Sequence, residues 1–423
     1  MKISWFKRAV VPEIGCLIAG YGPNDVSVAK RDDLMVTGLC VDDGSSKVLL
    51  MSCDLIGLDR WIIEEIRKRC AEILNIPESA VMISPTHTHS GPQTRSSTVP
   101  LNMDYINKFT AAIYEAVSEL PEFVECTAVF CSRECDYNQN RRYTTPDNHT
   151  SFLPHCVDMR PLAKGFADKE LGILCFYNAD GLLYVIGNYA AHPLAGHAPG
   201  LGGLTISADF PGYFRDYISK ETGAEAMFIS GAAGDMVPKG DELGSDAARE
   251  VGVGLAKEAI AGIICAQRAA KRFKLADKVG SCTRKFAMPM RPGKSRRDPG
   301  TLTPDGKLEM EIQCVALGDI CFVGVPGELC AELGQEIKWH SPFCRTFIAY
   351  NATSYFDYIC PGNFLVSGGY EGGVQLTSSR TGLTLVNTAV DAMYELREAI
   401  FPSPEAAEYP DYLKHNLVWR QDS

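Results

Sequence analysis

Residues 48–85 constrain the fold more than any other stretch of the chain. An apolar run at 48–53 is followed by Ile62, Ile66, Cys70 and Ile73, which recur at helical spacing with Glu64, Glu65, Arg67, Lys68 and Arg69 between them. Asp59 stands before that stretch as a helix cap, and Pro77 closes it. A second apolar run opens at Val81. Strand, helix, strand over this length is a βαβ unit, which needs a parallel strand pair and predicts a right-handed crossover. The second strand runs into V-M-I-S-P-T-H-T-H-S-G-P at 81–92. If the chain is still extended there, His87 and His89 point to the same side, and Ser90-Gly91-Pro92 then turns the backbone away. The two imidazoles lie just beyond the carboxyl end of a parallel strand, where α/β sheets hold ligands. Both are placed to meet a metal or a polarised substrate. Taken alone, H-x-H also fits a pair of surface or hydrogen-bonded histidines.

The rest of the chain extends the same architecture. Strands are predicted at 35–41, 48–53, 124–130, 226–230 and 346–351, with hairpins at 171–191 and 312–325. Helices are predicted at 104–120, 210–220 (after Asp209), 245–271 and 382–396, with another running from Pro326-Gly327-Glu328 to 339. A polar loop is expected at 137–161, a basic loop or flap rich in proline and glycine at 284–304, and an irregular aromatic stretch at 355–372. No internal repeat or flexible linker interrupts this order. The expectation is a single multi-layer α/β sandwich with mixed sheets over residues 1–401, followed by a polar tail at 402–423.

One pattern recurs along the chain. An apolar strand ends, the backbone turns on Pro or Gly, and a metal-competent side chain follows. It happens at His87 and His89, at His192, at Asp235, at Glu328, and in the loop after the strand ending near Asn351. If these strand carboxyl ends share one edge of a sheet, their side chains converge there. Two imidazoles and a carboxylate with one open position make up a catalytic zinc site. Each residue also has a plainer reading. Glu328 suits a helix N-terminus, Asp235 its glycine turn, and Asp209 a helix cap. Tyr358 and Tyr370 suit an amphipathic core position. Arg141 and Arg142 suit a solvated pair, and His197 a loop.

Composition removes several classes of function. The net charge of -11 leaves no basic excess to neutralise phosphates, so no nucleic-acid partner is expected, and docking to anionic lipid is disfavoured. No run reaches transmembrane length, so no stable membrane insertion is expected. The 16 cysteines fall mostly in apolar strands and helices without a C-x-x-C pair, which argues against a thiolate zinc site. Pro12 and Glu13 interrupt the opening residues before any signal-peptide core can form. A reduced, cytoplasmic protein acting on a small-molecule substrate is the expectation, with homo-oligomerisation left open.

The ordered motifs resemble the catalytic domain of the neutral/alkaline, non-lysosomal ceramidase family over about residues 20–382. They are T-H-T-H-S-G-P at 86–92, Asn140-Arg141, Ala191-His192-Pro193 after the hairpin, Pro326-Gly327-Glu328, and Tyr370-Glu371-Gly372 with Tyr358 twelve residues earlier. The resemblance implies one Zn²⁺ per chain held by His87, His192, Glu328 and Tyr358. It also implies that His89, Arg141 and Tyr370 line the site as catalytic groups, with Asn140, Asp235 and Val237 beside the substrate. Where ceramidases carry G-D-x-S-P-N with an essential serine, this chain reads Gly234-Asp235-Met236-Val237-Pro238-Lys239, and Val237 has no hydroxyl. The ceramidases' further β-sandwich domain is not expected within these residues.

The expected function is therefore a zinc-dependent hydrolase that cleaves an amide of a small polar substrate through metal-activated water. His89 would move the proton, and Arg141 and Tyr370 would stabilise the oxyanion. The alternatives are a metal-assisted lyase or isomerase on a sugar-like substrate, a true ceramidase, and a non-catalytic protein stabilised by zinc.

Overall fold

The strand Lys47–Cys53 lies between an antiparallel neighbour, Met35–Asp42, and a parallel one, Val81–Pro85. The helix Arg60–Leu74 makes the crossover between the parallel pair. The sheet continues on its other side through Lys2–Ala9 to Val124–Glu125. Side chains alternate between the two faces, as the strand period of two requires. Leu49, Met51 and Ile83 pack with Ile62, Ile66, Phe109 and Ile113 from Arg60–Leu74 and Met103–Ser118. Leu39, Leu50 and Met82 face the opposite way. Both faces are covered, which is why these strands read as unbroken apolar runs.

The computed structural model describes residues 1–97, 99–144, 150–152, 163–196, 204–239, 244–268, 274–295, 298 and 301–402. Two four-stranded sheets form its next layer. One holds Glu225–Ser230, Gly181–Tyr189, Glu170–Asn178 and Thr127–Glu134 in that order. The other holds Val279–Pro289, Lys307–Leu317, Ile320–Gly324 and Arg345–Ala349. Phe176, Ile186, Ile229, Phe322 and Phe347 from these sheets meet Leu39, Leu50 and Met82 in one core. Helices Asp209–Thr222 and Ser245–Arg268 cover the outside of the first sheet. Helices Ala331–Trp339 and Thr381–Ile400 cover the outside of the second. The result is the expected multi-layer α/β fold with mixed sheets.

Buried polar bonds lock the layers together at one rim. Ser230 Oγ donates to Thr86 O at 2.7 Å, and Ser84 Oγ to Tyr350 O at 2.9 Å. Asn188 Nδ2 joins the two four-stranded sheets by donating to Ile229 O and Ile348 O, each at 2.9 Å. A buried hydroxyl or amide left unpaired costs about 1–3 kcal/mol, so these bonds hold the layers in one register. They gather the carboxyl ends of three parallel pairs: Lys47–Cys53 with Val81–Pro85, Gly181–Tyr189 with Glu225–Ser230, and Ile320–Gly324 with Arg345–Ala349.

Several local expectations are corrected. Residues 284–289 are not flap but the end of the strand Val279–Pro289, whose basic residues pair with neighbours: Arg284 with Glu395, and Lys285 with Glu309. The stretch 124–130 divides into Val124–Glu125 and Thr127–Glu134, which belong to different sheets. Part of the predicted loop at 137–161 is strand: Asn138–Asn140 pairs with Met236–Pro238. Asp59 stands at the N-cap of its helix, yet its carboxylate accepts from Ser96 N and Ser96 Oγ instead of the helix backbone. Asp209 lies within its helix at φ 56° and accepts from Gly196 N at 2.6 Å. His197 and residues 403–423 lie outside the described residues. Every cysteine among the described residues is free. Among them too, no helix is long and apolar enough to cross a membrane.

Candidate metal centre

Three strand ends deliver the first donors. After Val81–Pro85 the chain bonds back to its neighbour, Thr86 N to Cys53 O at 2.8 Å and His87 N to Leu55 O at 2.9 Å. His87 then takes a left-handed conformation, φ 71°, which is unusual for a non-glycine residue and clusters at functional sites. Its Nδ1 lies 2.6 Å from Ile56 O. A carbonyl only accepts, so Nδ1 is the donor there and Nε2 is the nitrogen turned toward the site. His192 repeats the arrangement: Nδ1 donates to Met236 O at 3.0 Å, and Nε2 is free to ligate. Both imidazoles are fully buried.

Both Nε2 atoms face one carboxylate. Glu328 Oε2 lies 3.2 Å from His192 Nε2 and 3.5 Å from His87 Nε2. Glu328 does not begin a helix. It sits on the short strand Glu328–Leu329, paired in parallel with Tyr358–Ile359, while the helix starts at Ala331. Gly327 makes that pairing fit, because a Cβ there would stand 2.6 Å from Asp357 O. Two phenols hold the carboxylate: Tyr350 donates to Oε2 at 3.1 Å, and Tyr355 donates to Oε1. His89 Nε2 lies 3.2 Å from His87 Nε2, and the ring nitrogens of His87, His89 and His192 fall within 4.8 Å of one another.

A second group adjoins the first. Arg141 donates through Nη2 to Tyr358 Oη at 3.0 Å and through Nε to Glu371 Oε1 at 2.7 Å. The other oxygen of Glu371 accepts from Arg142 Nη1 at 2.6 Å, so one buried carboxylate holds two guanidinium groups. The Arg141-Arg142 pair is therefore not solvated. Tyr370 is about half exposed and packs edge-on to Tyr358, with ring centroids 5.4 Å apart. The centre of the Arg141 guanidinium is 5.5 Å from the Tyr358 ring and 5.7 Å from the Tyr370 ring.

The structure thus brings together His87, His89, His192 and Glu328, with Arg141, Tyr358 and Tyr370 adjoining. Asn140 and Asp235 lie together beside Arg141 and Arg142. Asn140 Nδ2 donates to Asp235 Oδ2 at 2.7 Å and to Phe166 O, and its Oδ1 accepts from Arg142 N. Asp235 Oδ1 accepts from Ala331 N at 2.8 Å. Both are buried, and these bonds brace the arginine segment. Val237 is nearly buried on the strand paired with Asn138–Asn140. Sequence reasoning missed Tyr350, Tyr355 and Glu371. Only Glu371 carried a signal, as the carboxylate inside Tyr370-Glu371-Gly372.

Burial sets the protonation states. It pushes His192 down to about 4, so the ring is neutral at pH 7. Burial opposes charge on Glu328, but His87 and His192 outweigh it and hold the carboxyl well below its usual range. A neutral His192 beside an ionised Glu328 is in the form a metal ligand needs. Burial drives the Tyr358 phenol well above its ordinary value, despite Arg141.

The His192 shift has a consequence for the metal-free protein. Between pH 6.5, the unfolded value, and about 4, the unfolded chain binds the proton that the folded chain refuses. Stability is therefore complete above 6.5 and falls as the pH drops toward 4, by on the order of 3 kcal/mol. Unfolding free energies from urea denaturation at pH 7.5 and 4.5 are expected to differ by about that much more in the wild type than in His192→Gln.

The fold has solved counterparts. The crystal structure of a neutral ceramidase from Pseudomonas aeruginosa superposes with a TM-score of 0.78 at 18% identity, covering 94% of this chain and 75% of that one. A ceramidase complexed with C2 superposes at 0.76 and 17% identity, with the same coverage. No protein-family model matches the chain, and no curated protein matches it.

Proposed function

Because the chain takes the fold of the neutral ceramidases, we propose that it is a zinc-dependent hydrolase that cleaves an amide bond of a small polar substrate. The observation that carries this reading is the convergence of His87 Nε2, His192 Nε2 and Glu328 Oε2, with each imidazole's Nδ1 fixed on a backbone carbonyl. The donor set fits zinc: two imidazoles and a carboxylate, oriented by outer partners. His87, His192 and Glu328 would hold the ion, with Tyr358 as the fourth ligand. When bound, zinc lowers the pKa of a water toward neutrality and polarises a carbonyl.

The chain's own groups supply the rest. His89, partly buried beside His87, takes the proton from the attacking water and delivers it to the departing nitrogen. Arg141, fixed by Glu371, keeps a permanent positive charge where the carbonyl oxygen gains negative charge. Tyr370 adds a hydroxyl at the exposed side. Tyr350 and Tyr355 hold the Glu328 carboxylate by hydrogen bonds.

Val237 makes ceramide a poor candidate, since no hydroxyl stands at that position to attack or relay a proton. Val237→Ser is accordingly expected not to confer ceramide cleavage, measured as fatty-acid release from micellar ceramide. Robust release by that variant would restore the ceramidase assignment.

The test of the whole reading is turnover by zinc-loaded protein on a panel of small N-acyl amides, with both products quantified. Equal amounts of carboxylate and amine are expected, and removing zinc should abolish their release. Conversion of a sugar-like substrate without uptake of water would favour a lyase or isomerase. Bound zinc without any turnover would favour a structural role for the ion.

A further inference from the structure

We infer that Arg95 is an anion receptor beside this centre, and that the substrate carries a carboxylate near its scissile amide. The inference rests on the hydrolase reading for the reaction, but on separate observations for the ligand.

The most deeply buried arginines of the described residues hold carboxylates. Arg60 pairs with Glu64 and Glu309, Arg67 with Glu311, and Arg215 with Asp54. Arg141 and Arg142 share Glu371. Arg95 differs. Its Nε–H is buried without a partner, as are those of Arg67 and Arg215, but unlike theirs the rest of its guanidinium makes no hydrogen bond and no ion pair with any described residue. A buried donor left without a partner is costly. A guanidinium also presents its donors as a rigid fork that matches a carboxylate bidentately. The missing partner therefore has the chemistry of an oxyanion.

The position ties that partner to the site. The Arg95 guanidinium stacks 4.4 Å from the centre of the Tyr355 ring. The Tyr355 hydroxyl donates to Glu328, and its ring lies nearly parallel to that of His87, with centroids 6.1 Å apart. Arg95 is thus one aromatic ring away from the proposed ligands. The nearby acidic groups, Glu328 and Asp357, favour its charge but form no ion pair with it. The backbone around it is fixed. Gln93 Nε2 donates to Arg95 O, Thr94 Oγ1 donates to Gly57 O at 2.7 Å, and Asp59 holds Ser96. This explains why Asp59 leaves its own helix uncapped: it braces the segment that presents Arg95. A donor fork held ready by its backbone costs little ordering when a ligand arrives. An acylated amino acid combines a small polar amide with a neighbouring carboxylate.

Calorimetry on the zinc-loaded full chain tests the inference with matched pairs, N-acyl amino acids against their C-terminal carboxamides, beginning with N-benzoylglycine and N-benzoylglycinamide. The wild type is expected to bind carboxylates about 10- to 100-fold more tightly than carboxamides. Arg95→Met should erase that preference while leaving zinc content and carboxamide binding unchanged, and Arg95→Lys should keep part of it. The inference fails if no carboxylate in the panel binds more tightly than its carboxamide, including the case in which none binds. It fails equally if Arg95→Met preserves the preference. Turnover followed in the same samples judges the hydrolase reading separately: an Arg95-dependent preference without turnover would overturn the reaction but not the receptor.

Discussion

Replacing His87 by alanine is expected, on the proposed hydrolase reading, to abolish zinc binding and amide hydrolysis. The ring supplies one of the two imidazole nitrogens facing Glu328 Oε2, at 3.5 Å. Loss of an outer partner of a metal ligand costs roughly 10- to 100-fold in affinity, so loss of a ligand itself should exceed that. Zinc content after dialysis and kcat/KM on the N-acyl amide panel provide the two readouts. The variant should still fold. The backbone bonds of residues 86 and 87 to Cys53 and Leu55 do not depend on the imidazole. An unchanged far-ultraviolet spectrum together with absent zinc is the expected pair of results. Full zinc content in His87→Ala would remove this residue from the ligand set.

Asp54→Ala is expected to produce the largest loss of stability. Asp54 and Arg215 are buried, and the carboxylate accepts from Arg215 Nη1 at 2.9 Å and Nη2 at 2.5 Å. It also accepts from Met35 N at 2.8 Å and from Thr86 Oγ1, directly before His87. Removing one partner of a buried ion pair leaves an uncompensated charge and costs about 3–5 kcal/mol. Urea denaturation should show that loss. The double variant Asp54→Ala, Arg215→Met should recover part of it, because the stranded charge is gone. If the double variant is no more stable than the single one, the loss comes from the bonds to Met35 and Thr86 rather than from the ion pair.

Much of the site was legible because its residues follow strand ends. His87, His192 and Glu328 each follow an apolar run and lie beside a proline or glycine, and such turns are local chemistry that a sequence displays. Their convergence was not local. It depends on bonds such as Ser230 Oγ to Thr86 O and Ser84 Oγ to Tyr350 O, which join residues far apart in the chain. The strand Asn138–Asn140 looked like loop for the same reason: its partner, Met236–Pro238, lies about a hundred residues onward. Tyr350 and Tyr355 were hidden because a tyrosine that bonds a carboxylate and one that fills a core share the same neighbours in sequence. The strand Val279–Pro289 was masked by Arg284 and Lys285, whose charges suggested a solvated loop until their partners, Glu395 and Glu309, appeared beside them.

The central claim is that one divalent ion is shared by side chains from separate strand ends. A crystal structure of the zinc-soaked protein, with anomalous data collected on both sides of the zinc edge, tests it most directly. One anomalous peak per chain is expected within about 2.0–2.2 Å of His87 Nε2, His192 Nε2 and a Glu328 oxygen. A map with no peak between those three atoms, at a zinc concentration that saturates binding in solution, would contradict it.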